Sequence, residues 1–178
     1  IHHPVVTYHF KHELIKNELM ENFIATHRRY FLEYIVNKNI TNDLNDLIVN
    51  LSYQCYLNEY SWGMDEQEKL IINNVDELIE NNINANNIDQ YKWHITILAC
   101  YRDLRTLSKS VKEYLLKYNS IDNKFNEFIS YHIIRPQEIN DLKSKIISLT
   151  PIKNTISIKV KDQYEDKPFP IWSLAKTY

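Results

Sequence analysis

Apolar residues recur at helical spacing through the first third of the chain. Over residues 13–38 they form a wide apolar face and predict one long amphipathic helix. A second run over residues 44–55 keeps the i, i+3, i+4, i+7 spacing, and we expect its helix to stop at Gly63. Asp65 and Glu68 have the spacing of a capping box, which predicts the start of a third helix.

The rest of the chain predicts further helices separated by polar turns. The Asn-rich residues 81–87 predict a loop, because asparagine side chains compete for backbone hydrogen bonds. Residues 91–104 carry apolar side chains on two faces, which predicts a buried central helix. Shorter helical patterns cover residues 108–118, 123–133 and 136–149, with Pro136 as a first helical residue. Apolar and polar residues alternate over residues 155–163, which fits a strand, but the context of this segment favours a short helix.

These elements predict an all-α protein, an irregular multi-helix bundle with an extended C-terminal tail rich in proline and aromatic residues. The helical runs show no period of about 34 residues, so the pattern does not support a regular solenoid. We expect a helical accessory domain over residues 1–160 and a tail over residues 161–178. Because the chain begins at Ile1 without a methionine, we interpret it as part of a longer protein.

Composition removes several classes of function. The 178 residues carry a net charge of −2, so no positive field attracts nucleic acid. No apolar run approaches the roughly 20 residues that cross a bilayer, and we expect a cytoplasmic protein without membrane contacts. Cys55 and Cys100 lack a Cys-x-x-Cys spacing, which favours buried, reduced thiols. With Gly63 as the only glycine, the chain has no glycine-rich loop for a phosphate or adenosyl group, and we expect no cofactor in it.

The spacing of reactive side chains gives little support for catalysis or metal binding. His9 and His12 lie one helical turn apart, but no His-Glu-x-x-His motif accompanies them. Neither cysteine begins a helix, and no serine elbow is present. We therefore expect no catalytic residue and no metal ligand in this chain.

Polar residues continue the apolar face of the second predicted helix. Asn58 and Glu59 follow Cys55 by three and four residues, so an amide and a carboxylate are expected on a buried face. Each needs a partner there, either a helix end or an arginine of the bundle, or else a ligand. The candidate residues for binding a partner or substrate, or for docking another domain, are Gln54, Asn58, Glu59, Tyr60, Tyr101 and Arg102.

Residues 163–172 differ from the rest of the chain. Two prolines fix an extended path, and three aromatic side chains fall within nine residues. Such a segment is either a plain linker or a strap that inserts its rings into pockets of another domain, and the aromatic content favours the strap. The candidate docking residues in this tail are Tyr164, Glu165, Phe169 and Trp172.

Two motifs suggest a family. They are Gln-Cys-x-x-Asn-Glu-Tyr at residues 54–60 and Gln-Tyr-Glu followed by Pro-x-Pro-x-Trp at residues 163–172, with Leu-Ala-Cys-Tyr-Arg at residues 98–102 between them. In these motifs the chain resembles the helical, regulatory-type region that precedes the class I catalytic domain in bacterial tetratricopeptide-type S-adenosylmethionine-dependent methyltransferases. The chain departs from that pattern at Asp103, Ile134-Arg135, Lys167 and Ile171.

The resemblance implies a division of labour within a larger protein. The catalytic domain and its S-adenosylmethionine site would follow the Trp172 segment. This chain would then be a non-catalytic accessory domain that supports or selects substrate, which can itself be a protein. The alternative is a helical interaction module that recruits a peptide or protein into a groove between helices. A free-standing enzyme would instead need a deep pocket with convergent ionisable groups.

Overall fold

A computed structural model describes residues 4–37, 46–119, 123–146 and 154–166. The helices are α1 (Pro4–His12), α2 (Glu18–Asn37), α3 (Asp46–Leu57), α4 (Glu66–Asn82), α5 (Ile88–Leu98), α6 (Lys109–Lys117), α7 (Asn123–Ile129), α8 (Arg135–Lys145) and α9 (Thr155–Asp166). A short 3-10 turn spans Leu104–Thr106, and a π-helical turn spans Ser130–Ile134. Since the described residues contain helices and no strand, the all-α prediction is confirmed.

The chain divides into two compact units, Ile1–Glu138 and Ile139–Tyr178. The first unit contains the apolar core, and the second contains α9. The predicted boundary after residue 160, between the accessory domain and the tail, falls inside α9. No helix among the described residues combines the length and apolar character needed to span a membrane.

Helix α5 is the centre of the first unit. It packs against α2, α3 and α4, and Ile95, Ile97 and Leu98 are fully buried. The prediction of a buried central helix is therefore confirmed, but the helix ends at Leu98 instead of residue 104. The next backbone N–H groups, from Cys100 and Tyr101, bond three residues back, which tightens the chain into a turn.

The first helical region differs from the prediction. Instead of one helix over residues 13–38, α1 ends at His12 and α2 begins at Glu18. The Asn17 side chain accepts a hydrogen bond from the backbone N–H of Met20 at 3.2 Å, which caps the start of α2. Phe10 anchors α1 in the core. The apolar spacing continues across the break, so the spacing alone did not show it.

The capping box at the start of α4 is confirmed. Asp65 Oδ1 accepts from the Glu68 backbone N–H at 2.8 Å, and Glu68 Oε2 accepts from the Asp65 backbone N–H at 3.0 Å. At the other end, α4 continues to Asn82, so the loop that was expected over residues 81–87 begins only at Ile83. Asn87 closes this loop by accepting from the Asn84 backbone N–H at 2.8 Å.

Pro136 does not begin a helix, contrary to the prediction. The chain winds continuously from α7 through the π turn into α8, and Pro136 is the second residue of α8. Proline lacks an N–H group, and its ring crowds the carbonyl four residues earlier, which here belongs to His132. The wider π turn directly precedes this position, and the Arg135 N–H bonds to the Ser130 carbonyl across it.

The segment that the sequence left between strand and helix is helical. Thr155–Asp166 forms α9, which confirms the short helix. Residues 161–166 were expected in the extended tail and are helical instead, because the first helix-breaking residue in this region is Pro168. Residues 167–178 lie outside the described part of the chain.

Candidate functional site

Gln54 lies in α3, is fully buried and faces the end of α1. Its Nε2 donates to the backbone carbonyls of Phe10 at 2.6 Å and Glu13 at 2.8 Å. Its Oε1 accepts from the backbone N–H of Ile15 at 3.1 Å. The amide therefore satisfies backbone groups that the end of a helix leaves unpaired. Gln54 joins α1 to α3 inside the fold.

Replacing Gln54 with leucine is expected to lower the free energy of unfolding by about 2 kcal/mol, because backbone groups of Phe10, Glu13 and Ile15 lose their partner. Urea denaturation measures the change. The same substitution at the exposed Gln90 of α5 is the control and should leave stability nearly unchanged. Equal stability of the two variants would contradict the role given to the Gln54 amide.

The polar residues after Gln54 form the turn that ends α3. The backbone N–H of Tyr60 bonds to the Cys55 carbonyl at 2.9 Å, and that of Glu59 bonds to the Tyr56 carbonyl at 3.0 Å, the pattern of a Schellman motif. Glu59 and Tyr60 have positive φ angles of 53° and 57°. Helix α3 therefore ends at Leu57, and Gly63, which was predicted to end it, has no positive φ.

This turn changes the surroundings predicted for its side chains. Glu59 is exposed rather than buried, because the helix that was to carry it inward has already ended. Asn58 is half-buried, and its Oδ1 accepts from the Ser61 backbone N–H at 3.1 Å. Tyr60 is half-buried, and its hydroxyl has no hydrogen-bond partner in the described part of the chain. Burial, and then the nearby charge of Asp103, raise the pKa of Tyr60.

Tyr101 belongs to a buried polar cluster that joins α2, α4 and the end of α5. Its hydroxyl donates to Glu68 Oε1 at 2.8 Å, and its ring lies 4.2 Å from the guanidinium carbon of Arg28. Arg28 Nη2 donates to the Gly63 carbonyl at 2.7 Å and lies 3.8 Å from Glu68 Oε1. Burial raises the pKa of Tyr101. We define this group, Arg28, Glu68 and Tyr101, as the arginine cluster.

Arg102 lies beside the arginine cluster in sequence but points to other partners. It forms an ion pair with Asp76 of α4, and its Nε and Nη2 donate to Thr106 Oγ1 at 3.0 and 2.6 Å. These contacts connect the turn after α5 to α4. The candidate binding residues between positions 54 and 102 therefore do not form one site. They are divided among the cap of α1, the turn after α3, the arginine cluster and an ion pair.

The docking residues of the tail fall partly within the described chain. Tyr164 lies in α9 and is exposed, and Glu165 lies in the last turn of the same helix. Phe169 and Trp172 lie outside the described residues.

A serine and a histidine meet in the core. No sequence pattern predicts this pair, because the two residues are far apart in the chain. His132 Nε2 lies 3.0 Å from Ser52 Oγ, and both residues are fully buried. Ser52 donates to the Val49 carbonyl at 2.7 Å, so we assign the proton of the pair to His132 Nε2. The Tyr53 ring stacks on the imidazole with centres 5.7 Å apart. Burial lowers the pKa of His132 to about 3.

The two cysteines are free and buried, as the sequence predicted. Burial raises the pKa of Cys100, whose thiol donates to the Thr96 carbonyl at 3.5 Å. His9 and His12 do not share a ligand geometry, since His9 bonds to Glu13 at 2.9 Å and His12 packs on Tyr8. Over the residues for which positions are given, no three metal-ligating side chains lie together.

A cleft of about 390 Å³ lies between α1, α3 and the start of α7. We define the cleft by the side chains that give it chemistry: Tyr8, Lys11, Asp46, Tyr53, Lys124 and Glu127. Lys11 forms an ion pair with Glu127, and Lys124 Nζ lies 2.5 Å from Asp46 Oδ1. No sequence pattern predicts this cleft, because its residues come from three distant segments of the chain.

The chain was compared with family models, curated proteins and solved structures, and none of them matches it.

Proposed function

We propose that the chain is a non-catalytic helical accessory domain of an S-adenosylmethionine-dependent methyltransferase, one that supports or selects substrate for a following catalytic domain. The observation that carries the proposal is an apolar stripe on α9. Ile156, Val160 and Tyr164 recur every four residues and are exposed, and Ile156 is exposed by 74%. Contiguous apolar side chains of this kind are typical of a surface that docks onto a partner. Tyr164 is also one of the docking residues predicted from the sequence.

The motif residues in the first unit support a scaffolding role. Gln54 and Tyr101 direct their polar atoms to groups of the same fold, where they hold helices together. A domain that positions a substrate or a catalytic partner benefits from such rigid internal connections. We therefore assign these residues to the support of a binding surface, and α9 to its attachment.

The parent methyltransferase tests this proposal through the α9 stripe. Val160→Lys is expected to lower methyl transfer about ten-fold, since it places a charge in a docked apolar surface. Asp162→Lys introduces the same side chain on the opposite face of α9 and should have little effect. Transfer of a labelled methyl group to protein and small-molecule acceptors is the measurement. Equal activity of the two variants would contradict docking through the stripe.

Calorimetry with S-adenosylmethionine tests the division of labour separately. We expect this chain alone to show no heat of binding, while the parent protein binds the methyl donor. Binding by the chain alone at a Kd of about 1–10 μM would contradict the accessory role.

The second candidate function is a helical interaction module that recruits a peptide or protein. The cleft between α1, α3 and α7 favours it, because a concave surface with aromatic and charged side chains is a common form of ligand site. The candidate also places binding away from Asn58, Glu59 and Tyr101, which the sequence indicated as candidate binding residues. Under this candidate, ligand binding in the cleft persists when the α9 stripe is changed.

A further inference from the structure

The two ion pairs of the cleft share an asymmetry, because each joins an exposed charge to one that is more shielded from solvent. The Lys11 side chain is 10% exposed, whereas that of its partner Glu127 is 56% exposed. The Asp46 side chain is 21% exposed, whereas that of its partner Lys124 is 57% exposed. The cleft therefore contains a buried cation and a half-buried anion, each paired with an exposed counterion.

The surroundings of Lys11 and Asp46 favour their charged forms. Lys11 Nζ lies 5.6 Å from the centre of the Tyr53 ring and 5.9 Å from that of Tyr131, within the range of cation–π attraction. Asp46 is the first residue of α3, where the helix dipole favours a carboxylate. A desolvated charge gains from any counterion of good geometry, while an exposed partner loses little when it returns to water.

We propose that this cleft binds a small zwitterion of the amino-acid or short-peptide class. The ligand carboxylate replaces Glu127 at Lys11, and the ligand ammonium group replaces Lys124 at Asp46. A volume of about 390 Å³ is at the lower end of the range for small-molecule sites, which suits one to three residues and excludes a whole helix. The rings of Tyr8 and Tyr53 line the cleft and favour an apolar ligand side chain.

This site goes beyond the proposed accessory function and does not depend on it. The cleft belongs to the first compact unit, whereas the docking stripe on α9 belongs to the second. Failure of ligand binding in the cleft and failure of the Val160→Lys test are therefore separate results.

Three matched probes test the two charges of the ligand without changing the protein. Glycyl-leucine carries both charges, N-acetyl-glycyl-leucine lacks the ammonium group, and glycyl-leucinamide lacks the carboxylate. We expect calorimetry of the full chain to show that loss of either charge weakens binding at least about ten-fold. Leucine and glycyl-glycyl-leucine, measured in the same way, identify the preferred length.

Variants of the cleft then assign each ligand charge to a residue. Lys11→Met should remove the preference for the free carboxylate, and Asp46→Asn should remove the preference for the free amine. Glu127→Gln should strengthen binding of glycyl-leucine about three-fold or more, because it removes the competing carboxylate while Lys11 keeps its charge. Lys109→Met, at an exposed position of α6, is the control and should bind glycyl-leucine with the affinity of the unmodified chain.

Two outcomes would overturn the inference. One is that leucine, glycyl-leucine and glycyl-glycyl-leucine at about 10 mM bind neither to the unmodified chain nor to the Glu127→Gln variant. The other is equal affinity for the capped and uncapped forms of glycyl-leucine.

Discussion

Replacing Arg28 with methionine is expected to lower the free energy of unfolding by about 3 to 5 kcal/mol, the range for removing one partner from a buried charge pair. The guanidinium group is 2% exposed, lies 3.8 Å from Glu68 Oε1 and donates to the Gly63 carbonyl at 2.7 Å. Without it, the buried Glu68 carboxylate keeps only neutral partners. Domains of this size are stable by about 5–15 kcal/mol, so this loss is a large fraction of the total.

The neighbouring Arg29 provides a control for this prediction. It forms ion pairs with Glu33 at 3.0 Å and Asp65 at 2.6 Å on the surface of α2. Arg29→Met should leave the urea midpoint nearly unchanged, because water screens exposed ion pairs and replaces their contacts. If the two methionine variants have the same midpoint, then the arginine cluster contributes no more than a surface pair, and our account of the core is wrong.

Lowering the pH from 7 to 4.5 is expected to cost about 2 to 3 kcal/mol of stability through His132 alone. Burial lowers the pKa of this side chain from 6.5 to about 3. Between these values the unfolded chain takes up a proton that the folded chain does not, so stability falls as the pH falls. The contribution of the neutral imidazole is fully present above about pH 6.5. Urea denaturation at both pH values measures the difference.

The variant His132→Phe separates this effect from the titration of other groups. It keeps a ring among Tyr53 and Phe128, and Ser52 keeps its bond to the Val49 carbonyl. Over the same pH interval, the free energy of unfolding of the variant should fall by about 2 to 3 kcal/mol less than that of the unmodified chain. An identical loss in both proteins would show that the folded state protonates His132 without penalty.

Local patterns in the sequence predicted much of the fold. The capping box at Asp65 and Glu68 marked the start of α4, and residues 91–104 indicated a central buried helix. These predictions succeeded because they depend on contacts between residues three or four positions apart. The short helix over residues 155–163 succeeded for the same reason, although its alternating pattern also fitted a strand.

The helix boundaries that were predicted wrongly depend on backbone conformations that residue type alone does not predict. Glu59 occupies a position that is usually glycine, whereas the sequence pattern indicated Gly63 as the helix end. Asn17 divides α1 from α2 without a change in apolar spacing. Pro136 follows a π turn, for which no simple sequence signal exists.

The candidate site was harder to predict than the fold, because its contacts are long-range. The sequence predicted a buried amide and carboxylate at Asn58 and Glu59, which are half-buried and exposed. The buried amide is that of Gln54, and its partners are backbone groups near the end of α1. The cleft combines residues 4–12, 46–53 and 124–127. Only the packing of α1 against α3 brings these segments together, and periodicity carries no information about such pairs.

The single glycine of the chain does not stand where the backbone favours one. Glu59 and Tyr60 adopt left-handed conformations, with φ of 53° and 57°, which cost roughly 1–2 kcal/mol for a residue with a side chain. A methyl group added at Gly63 would meet no atom within 4 Å. The same architecture therefore tolerates glycine at position 59 and alanine at position 63. Scarcity of glycine is a property of this particular sequence, and relatives of the same shape are free to contain more.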